Sequence, residues 1–172
     1  MQPKFKIYCD MDGVLVDFVK GIKELIPDYS EERYETDKRF NASAWQILKQ
    51  YTKDGNTFWL DLEPMDDMMQ LWNYIYPKGN PYDTEILTAT GMFAPASVAE
   101  QKELWIRREI EEDVPVNTVQ KARDKAEFAK EPNFILIDDK LKAIEPWRDA
   151  GGIGIVHTSA VDTIKQLKAL GI

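Results

Sequence analysis

Five short apolar runs, each bounded by polar or turn residues, predict buried β-strands. Branched and aromatic side chains dominate these runs, as they do in strands covered on both faces. Segments of helical character separate the later runs, and this alternation predicts an α/β fold with a parallel sheet. The strands are expected at Phe5 to Cys9, Glu85 to Thr88, Val116 to Val119, Phe134 to Ile137 and Ile153 to Val156; the helices are expected at Ala96 to Glu111, Ala122 to Lys130, Lys140 to Ala150 and Val161 to Leu170.

The interval between the first two strands is too long for a simple crossover. About 75 residues separate them, whereas typical connections are far shorter. The part from Phe18 to about Leu62 is rich in aromatic residues and predicts a small helical insertion, and Asp66 to Tyr76 predicts a helix leading back to the sheet. Most of these aromatic side chains are expected in the insertion's own core, with one or two facing a cleft. We expect the insertion to cover the carboxyl edge of the sheet and to exclude water there.

The first predicted strand ends in two acidic residues, Asp10 and Asp12, followed at once by Gly13. In open α/β sheets, the carboxyl ends of the strands form the binding crevice. Two carboxylates so close together repel each other unless a cation lies between them or one is protonated. Oxygen ligands of this kind suit Mg²⁺. The pair therefore predicts a cation site used for phosphate chemistry.

A surface turn or a calcium loop could also carry the Asp-x-Asp-Gly pattern. An EF-hand, however, needs further oxygen ligands at regular spacing and a helix on each side. Here Val14, Leu15 and Val16 follow the acids, and a strand precedes them. The pattern taken alone is also compatible with a simple turn. The residues at the other strand ends are needed to choose between a turn and a cation site.

Two later strands deliver polar groups to the same edge of the predicted sheet. Thr88 ends the second strand, where a hydroxyl and the neighbouring backbone amides can bind a phosphate oxygen. Asp138 and Asp139 end the fourth strand and are expected to complete a metal site, although capping the next helix is an alternative role. A lysine should balance this negative charge, with Lys125 the first choice and Lys121 the second.

Composition narrows the classes of function. The 172 residues carry a formal net charge of −8 with a sequence pI near 4.8, which disfavours binding of polymeric nucleic acid. The single cysteine, Cys9, fits a reducing and therefore cytoplasmic setting. His157 is the only histidine, so zinc and Cys–His chemistry are poorly supported. Neither a signal peptide nor a membrane span is visible in the sequence.

Four motifs in this order resemble those of the haloacid dehalogenase superfamily, over nearly the whole chain. Within that superfamily, three segments resemble the 5′(3′)-deoxyribonucleotidase family. The superfamily resemblance implies a Rossmann-like parallel sheet formed by residues 1–17 and 77–172, with a helical cap at 18–76. The superfamily motifs are Asp10 to Phe18, Leu87 to Ala89, Lys125 and Ile137 to Asp139; the segments shared with the nucleotidases are Asp10 to Phe18, Phe58 to Pro64 and Ala122 to Lys125.

The resemblance also implies roles. Asp10 would be the nucleophile that forms an aspartyl-phosphate, and Asp12 the acid and base. Mg²⁺ would be held by Asp10, the backbone carbonyl of Asp12 and the acids Asp138 and Asp139, with Asp139 the more direct ligand. The remaining expected site residues bind substrate: Thr88, Ala89 and Lys125 at the phosphate, with Arg123 nearby, and Phe18, Trp45 and Phe58 at a nucleoside.

The sequence departs from the family pattern at Ala89, where a second hydroxyl is common, and at Met92, in a region where a lysine assists phosphate binding. The leading hypothesis is therefore a magnesium-dependent phosphomonoesterase acting on deoxynucleoside monophosphates, with another small phosphate ester as the alternative. A receiver-type signalling module and a catalytically silent binding protein are weaker alternatives. Dehalogenation is disfavoured. The sequence leaves a homodimer open.

Overall fold

The centre of the protein is a five-stranded parallel sheet, seen in a computed structural model that describes residues 5–110 and 113–172. The order is β3-β2-β1-β4-β5, and all five predicted strands are present. The chain runs outward from β1 to β3 and then returns to place β4 beside β1. Such a reversal opens a crevice at the carboxyl ends of the central strands. The strands are β1 (Lys6–Cys9), β2 (Glu85–Ala89), β3 (Val116–Val119), β4 (Phe134–Asp138) and β5 (Ile153–Val156).

Seven α-helices and one 3₁₀ helix lie within the described residues. The predicted helical segments are confirmed, with ends that differ by one to two residues except at 122–130, where a 3₁₀ helix ends at Phe128. The predicted helix end at Glu111, and the first four residues of the expected core segment 1–17, lie outside the described residues. The helices are α1 (Phe18–Leu25), α2 (Glu31–Thr36), α3 (Lys38–Lys53), α4 (Met68–Ile75), α5 (Pro95–Glu109), the 3₁₀ helix (Ala122–Phe128), α6 (Leu141–Asp149) and α7 (Ala160–Ala169).

Both faces of the sheet are covered by apolar side chains. Since successive side chains of a strand point to opposite faces, one strand contributes to both clusters. In β1, Ile7 and Cys9 pack into one apolar cluster, while Tyr8 packs into a second one with Leu136 and Trp147. This arrangement confirms the predicted α/β class. In the described part of the chain, no helix is both long and apolar enough to cross a lipid bilayer.

Helices α1 to α3 form the insertion that follows β1. Helix α3 buries Phe40, Ala44 and Leu48, which are spaced four residues apart and so lie on one face. The side chain of Asp37 accepts hydrogen bonds from two amides of the first turn and begins this helix. Phe18 stacks on Trp59 with ring centroids 5.6 Å apart, which joins the two ends of the insertion.

Two adjacent chain segments connect the insertion to the sheet. The amide of Met65 donates to the carbonyl of Leu15 at 2.8 Å, and the amide of Asp17 donates to the carbonyl of Glu63 at 2.8 Å. Helix α4 then packs against α7 beside the sheet, and Asp67 accepts a 2.7 Å hydrogen bond from the amide of Ala160. The division at residues 18–76 stays a prediction.

Candidate active site

Three carboxylates meet at the carboxyl edge of the sheet. Asp10 follows β1 directly, Asp138 ends β4, and Asp139 follows it. The amide of Asp10 donates to the carbonyl of Ile137 at 3.0 Å, which continues the pairing of the two strands. Asp10, Asp138 and Asp139 each offer one oxygen within 4.8 Å of the others. The sheet therefore brings these three predicted site residues together.

Lys125 lies between two of these carboxylates. Its amino group donates hydrogen bonds to Asp10 Oδ1 at 2.8 Å and to Asp138 Oδ2 at 2.6 Å, and its side chain is only 2% exposed. Burial alone would lower the pKa of Lys125, but the charges of Asp10 and Asp138 outweigh it and hold the pKa above its ordinary value. Lys125 is therefore a charged lysine fixed beside the proposed nucleophile.

Asp139 has the oxygen best suited to a cation. Both oxygens of Asp138 accept hydrogen bonds, from Lys125 and from the amide of Lys140 at 2.9 Å. Asp139 Oδ1, by contrast, is buried without a hydrogen-bond partner, and Gly13 approaches the Asp139 carboxylate so closely that a Cβ at residue 13 would overlap it. A buried carboxylate oxygen normally has a partner. These oxygens fit Mg²⁺, with Asp10 and Asp139 offering the ligand atoms.

The electrostatics of Asp138 and Asp139 agree with this fit. Burial, followed by the charge of Asp10, raises the pKa of Asp138 to about 6 and that of Asp139 to about 7, from an ordinary value of 3.8. A divalent cation would reverse this trend by favouring the ionised carboxylates. A bound cation would therefore stabilise the ionised forms of Asp138 and Asp139.

Asp12 has a different environment. Its carboxylate lies outside the three-carboxylate group found among the described residues, and its Oδ2 accepts a 2.7 Å hydrogen bond from Lys102. Burial raises the pKa of Asp12, while the charge of Lys102 acts in the opposite direction. The two aspartates of the first motif thus face different partners, Lys125 and Lys102. This separation suits two different chemical roles.

A cavity of about 510 Å³ opens next to these groups. Asp10, Asp12 and Lys125 line it. Cap aromatics form part of its wall, including the predicted residues Phe18 and Trp45. Arg123 and Lys121 lie on the core side, and the Arg123 side chain is 69% exposed. The aromatic residues of the wall are Phe18, Tyr29, Tyr34, Trp45 and Trp59.

Two of the expected substrate-binding residues are buried and do not line this cavity. Thr88 is fully buried, and its hydroxyl accepts a 2.9 Å hydrogen bond from Lys102, whereas Ala89 and the following Thr90 line the cavity. Phe58 is also buried and packs edge-on against Phe18 at 5.9 Å between ring centroids. Direct contact of Thr88 or Phe58 with a substrate stays a prediction.

Sequence reasoning missed Lys102 and Lys140. Lys102 lies on α5 at a position where the 3.6-residue period places it with the buried Val98 and Trp105, and a lysine on an apolar helix face is the signal that could have revealed it. Lys140 follows the Asp138-Asp139 pair, and its amino group contacts Glu31 of the cap at 2.7 Å and Asp139 at 3.5 Å. Nothing in the sequence indicates its contact with Glu31.

The fold and the site together define a protein with the fold of haloacid dehalogenase-like hydrolases. The sequence matches no protein-family model and no curated protein. Among solved structures, it is similar to a haloacid dehalogenase-like family hydrolase from Xanthomonas campestris, with 14% identity and a TM-score of 0.64, over 98% of this chain and 92% of that one.

Two further solved structures are similar in fold. One is a HAD family hydrolase from Deinococcus radiodurans with bound phosphate and sodium, with 16% identity and a TM-score of 0.57, over 99% of this chain and 90% of that one. Another is a phosphonoacetaldehyde hydrolase-like protein from Oleispira antarctica, with 14% identity and a TM-score of 0.54, over 88% of this chain and 71% of that one. At these identities the similarity establishes the fold.

Proposed function

We propose that the protein is a magnesium-dependent phosphomonoesterase that forms an aspartyl-phosphate on Asp10. The observation that carries this proposal is the arrangement around Asp10. Its carboxylate lies among Lys125, Asp138 and Asp139, while Asp12 is held separately by Lys102. Carboxylates that are close together and have different environments are suited to different steps of one reaction. The phosphate bound to the fold neighbour from D. radiodurans supports this chemistry by analogy.

In the first step, an Asp10 carboxylate oxygen attacks phosphorus, and the bond from phosphorus to the leaving oxygen breaks. Asp12 gives its proton to that oxygen, so the product leaves as an alcohol. In the second step, Asp12 takes a proton from a water molecule, which attacks phosphorus and releases inorganic phosphate. Asp10 is then free again. Dividing the reaction in this way replaces one difficult hydrolysis with two easier steps.

Two sources of positive charge serve both steps. Lys125 orients Asp10 and stabilises negative charge on the phosphoryl oxygens. Mg²⁺, when held by Asp10 and Asp139, would screen the nucleophile from its anionic target and neutralise developing charge. Asp138 holds Lys125 in place through its 2.6 Å hydrogen bond. Each acid in the site therefore has a function consistent with its partners.

The proposed substrate is a deoxynucleoside monophosphate. The aromatic wall of the cavity supports this choice, because it includes Trp45 and Phe18, and a base can stack on aromatic side chains. Arg123 and Lys121 add positive charge to the cavity lining. The resemblance of Asp10 to Phe18 and of Ala122 to Lys125 to the deoxyribonucleotidases points to the same substrate class. A different small phosphate ester is the alternative, since Ala89 and Met92 depart from that family's pattern.

Phosphate release from deoxynucleoside monophosphates and from sugar phosphates, with and without Mg²⁺, tests the proposal. Turnover should require Mg²⁺, favour nucleotides and disappear in Asp10→Asn. The matched control is Asp149→Asn, because Asp149 is an exposed aspartate at the end of α6. Full turnover in Asp10→Asn would reject the mechanism. Equal turnover of nucleotides and sugar phosphates would leave the phosphatase chemistry and reject only the nucleotide preference.

A further inference from the structure

Helix α5 carries two polar side chains on its buried face. Its buried positions are Val98, Gln101, Lys102, Trp105 and Ile106, which follow the helical period. Lys102 is only 1% exposed. A lysine is almost never fully buried unless it is paired, because removing its charge from water is costly. The interactions of Lys102 must therefore compensate for its burial.

Lys102 makes three hydrogen bonds, the full capacity of an ammonium group. It donates to Asp12 Oδ2 at 2.7 Å, to Thr88 Oγ1 at 2.9 Å and to the carbonyl of Ala89 at 3.0 Å. Two of these partners belong to β2, which is part of the rigid sheet. The third is the carboxylate that the proposed mechanism uses as acid and base. Lys102 thus fixes Asp12 relative to the end of β2.

The same helix face also holds one wall of the cavity. The amino group of Lys102 lies 4.9 Å from the centre of the Trp59 ring. The side-chain oxygen of Gln101 accepts a 3.1 Å hydrogen bond from the amide of Trp59, and the Trp105 indole donates to the carbonyl of Leu62 at 2.7 Å. Trp59 lines the cavity together with Asp12. One face of α5 therefore contacts both the acid/base residue and the aromatic wall.

The two buried lysines of the site contact different carboxylates. Lys125 contacts Asp10 and Asp138, whereas Lys102 contacts Asp12. An acid that protonates a leaving group must lie within hydrogen-bond reach of it, and a small displacement costs much of the rate. Asp12 lies on the loop between β1 and α1, so its own backbone does not belong to a regular element.

We propose that Lys102 is a positioning residue that acts through Asp12, holding its carboxylate where the leaving alcohol must be protonated. This inference rests on the proposed phosphomonoesterase function. It assigns to Lys102 a role that differs from binding phosphate or metal. It also predicts that the importance of Lys102 depends on how much the leaving group needs a proton.

The test compares two phosphate esters in Lys102→Met. The leaving group of a deoxynucleoside 5′-monophosphate, an alkyl ester, is an alcohol and needs the proton. The leaving group of p-nitrophenyl phosphate, an aryl ester, is a stable phenolate and does not need it. We expect kcat/KM, which reports the first step and not the later attack of water, to fall ~10²-fold or more on the alkyl ester, the scale of general acid catalysis, and by less than about threefold on the aryl ester. A loss of kcat/KM that is equal on both esters would overturn the proposal.

A double-mutant cycle with Asp12→Asn provides the second criterion. If Lys102 acts through Asp12, then adding Lys102→Met to Asp12→Asn should lower kcat on the alkyl ester no further, because residues that act as a unit are not additive. Independent, multiplying losses would show that Lys102 acts elsewhere. The matched control is Gln101→Met, a change at the neighbouring buried position, whose effect should not depend on the leaving group.

Urea unfolding shows whether Lys102→Met folds; if it does not, Lys102→Gln is measured against the same criteria. The outcome also separates this proposal from the function on which it rests. If the unmodified protein hydrolyses neither ester in Mg²⁺, the proposed function fails and the role of Lys102 falls with it. If it hydrolyses both and Lys102→Met loses kcat/KM equally on the two, only the role of Lys102 is rejected.

Discussion

The ammonium group of Lys125 and the carboxylate of Asp10 form a buried ion pair with a 2.8 Å contact, although 115 positions separate the two residues in sequence. The 3₁₀ helix supplies the lysine and the end of β1 supplies the acid. A second acid, Asp138, shares the same ammonium group. The pair therefore serves the fold as well as the proposed chemistry, and the two contributions can be measured separately.

Lys125→Met should destabilise the protein and abolish turnover. Removing one partner of a buried pair leaves uncompensated charge, which costs roughly 3–5 kcal/mol. Urea unfolding at neutral pH without divalent cations measures this loss. Lys130→Met is the matched control, because Lys130 is an exposed lysine shortly after the 3₁₀ helix and its loss should cost less than about 0.5 kcal/mol. Equal midpoints for the two variants would contradict the ion-pair interpretation.

The raised pKa values of Asp138 (about 6) and Asp139 (about 7) predict how stability depends on pH when no metal is bound. Both values exceed the ordinary 3.8, so the folded state binds these protons more tightly than the unfolded state does. The resulting stabilisation is complete below about pH 4 and is lost as the pH rises through 6 to 7. Unfolding free energies measured in EDTA should show this loss, and Mg²⁺ should offset it at neutral pH.

Asp139→Asn isolates the contribution of Asp139, since the asparagine cannot titrate. In EDTA, the decline in stability between pH 4 and pH 7 should be shallower in this variant than in the unmodified protein. Mg²⁺ should also stabilise the variant less. Parallel pH profiles for the two proteins would show that Asp139 does not titrate as inferred.

The ends of β1 and β4 were predictable from sequence because these two apolar runs stop where the carboxylates begin. Asp10, Asp138 and Asp139 follow from that pattern alone, since parallel strands bring their carboxyl ends to one edge. Lys125 could be suggested from its proximity to the end of a strand and from the family resemblance, with Lys121 as the second choice. The 3₁₀ geometry of its segment depends on packing, which a helical pattern does not specify.

The positions of Thr88 and Lys102 show what the sequence could not decide. Thr88 was expected at the phosphate, but a lysine from α5 lies against its hydroxyl. That contact joins residues 14 positions apart through the packing of α5 on the sheet, and local patterns do not encode it. In the cap, the aromatic pattern predicted an apolar cluster, yet only the packed structure separates Phe58, which is buried, from Trp45, which faces the cavity.

Gly13→Ala should weaken metal binding, and its backbone strain alone should not account for this effect. Gly13 has φ of +83°, and an added Cβ would overlap the carboxylate of Asp139. Gly55→Ala is the matched control, because Gly55 has φ of +87° but nothing lies within 4 Å of the added Cβ. Each substitution should cost roughly 1–2 kcal/mol of stability from the left-handed backbone.

The two glycine variants should differ in calorimetric titration with Mg²⁺. Gly55→Ala should bind the ion as the unmodified protein does, whereas Gly13→Ala should bind it at least ~10-fold more weakly, because the Asp139 carboxylate must move. Unchanged binding in Gly13→Ala would show that the cation does not depend on the position of Asp139.

Trp45→Ala should weaken binding of a nucleotide without affecting a small ester. Trp45 lines the cavity on the cap side and lies against Gly91 on the opposite side. Stacking of a base on an aromatic side chain contributes about 1–3 kcal/mol, so KM for a deoxynucleoside monophosphate should rise ~5- to 150-fold. KM for glycerol phosphate, which has no base, should change little. Ile47→Ala is the matched control on α3, because Ile47 is 40% exposed and lies outside the cavity wall. If Trp45→Ala raised KM equally for both esters, the change would reflect a general disturbance of the cap, and the ring would have no role in recognising a base.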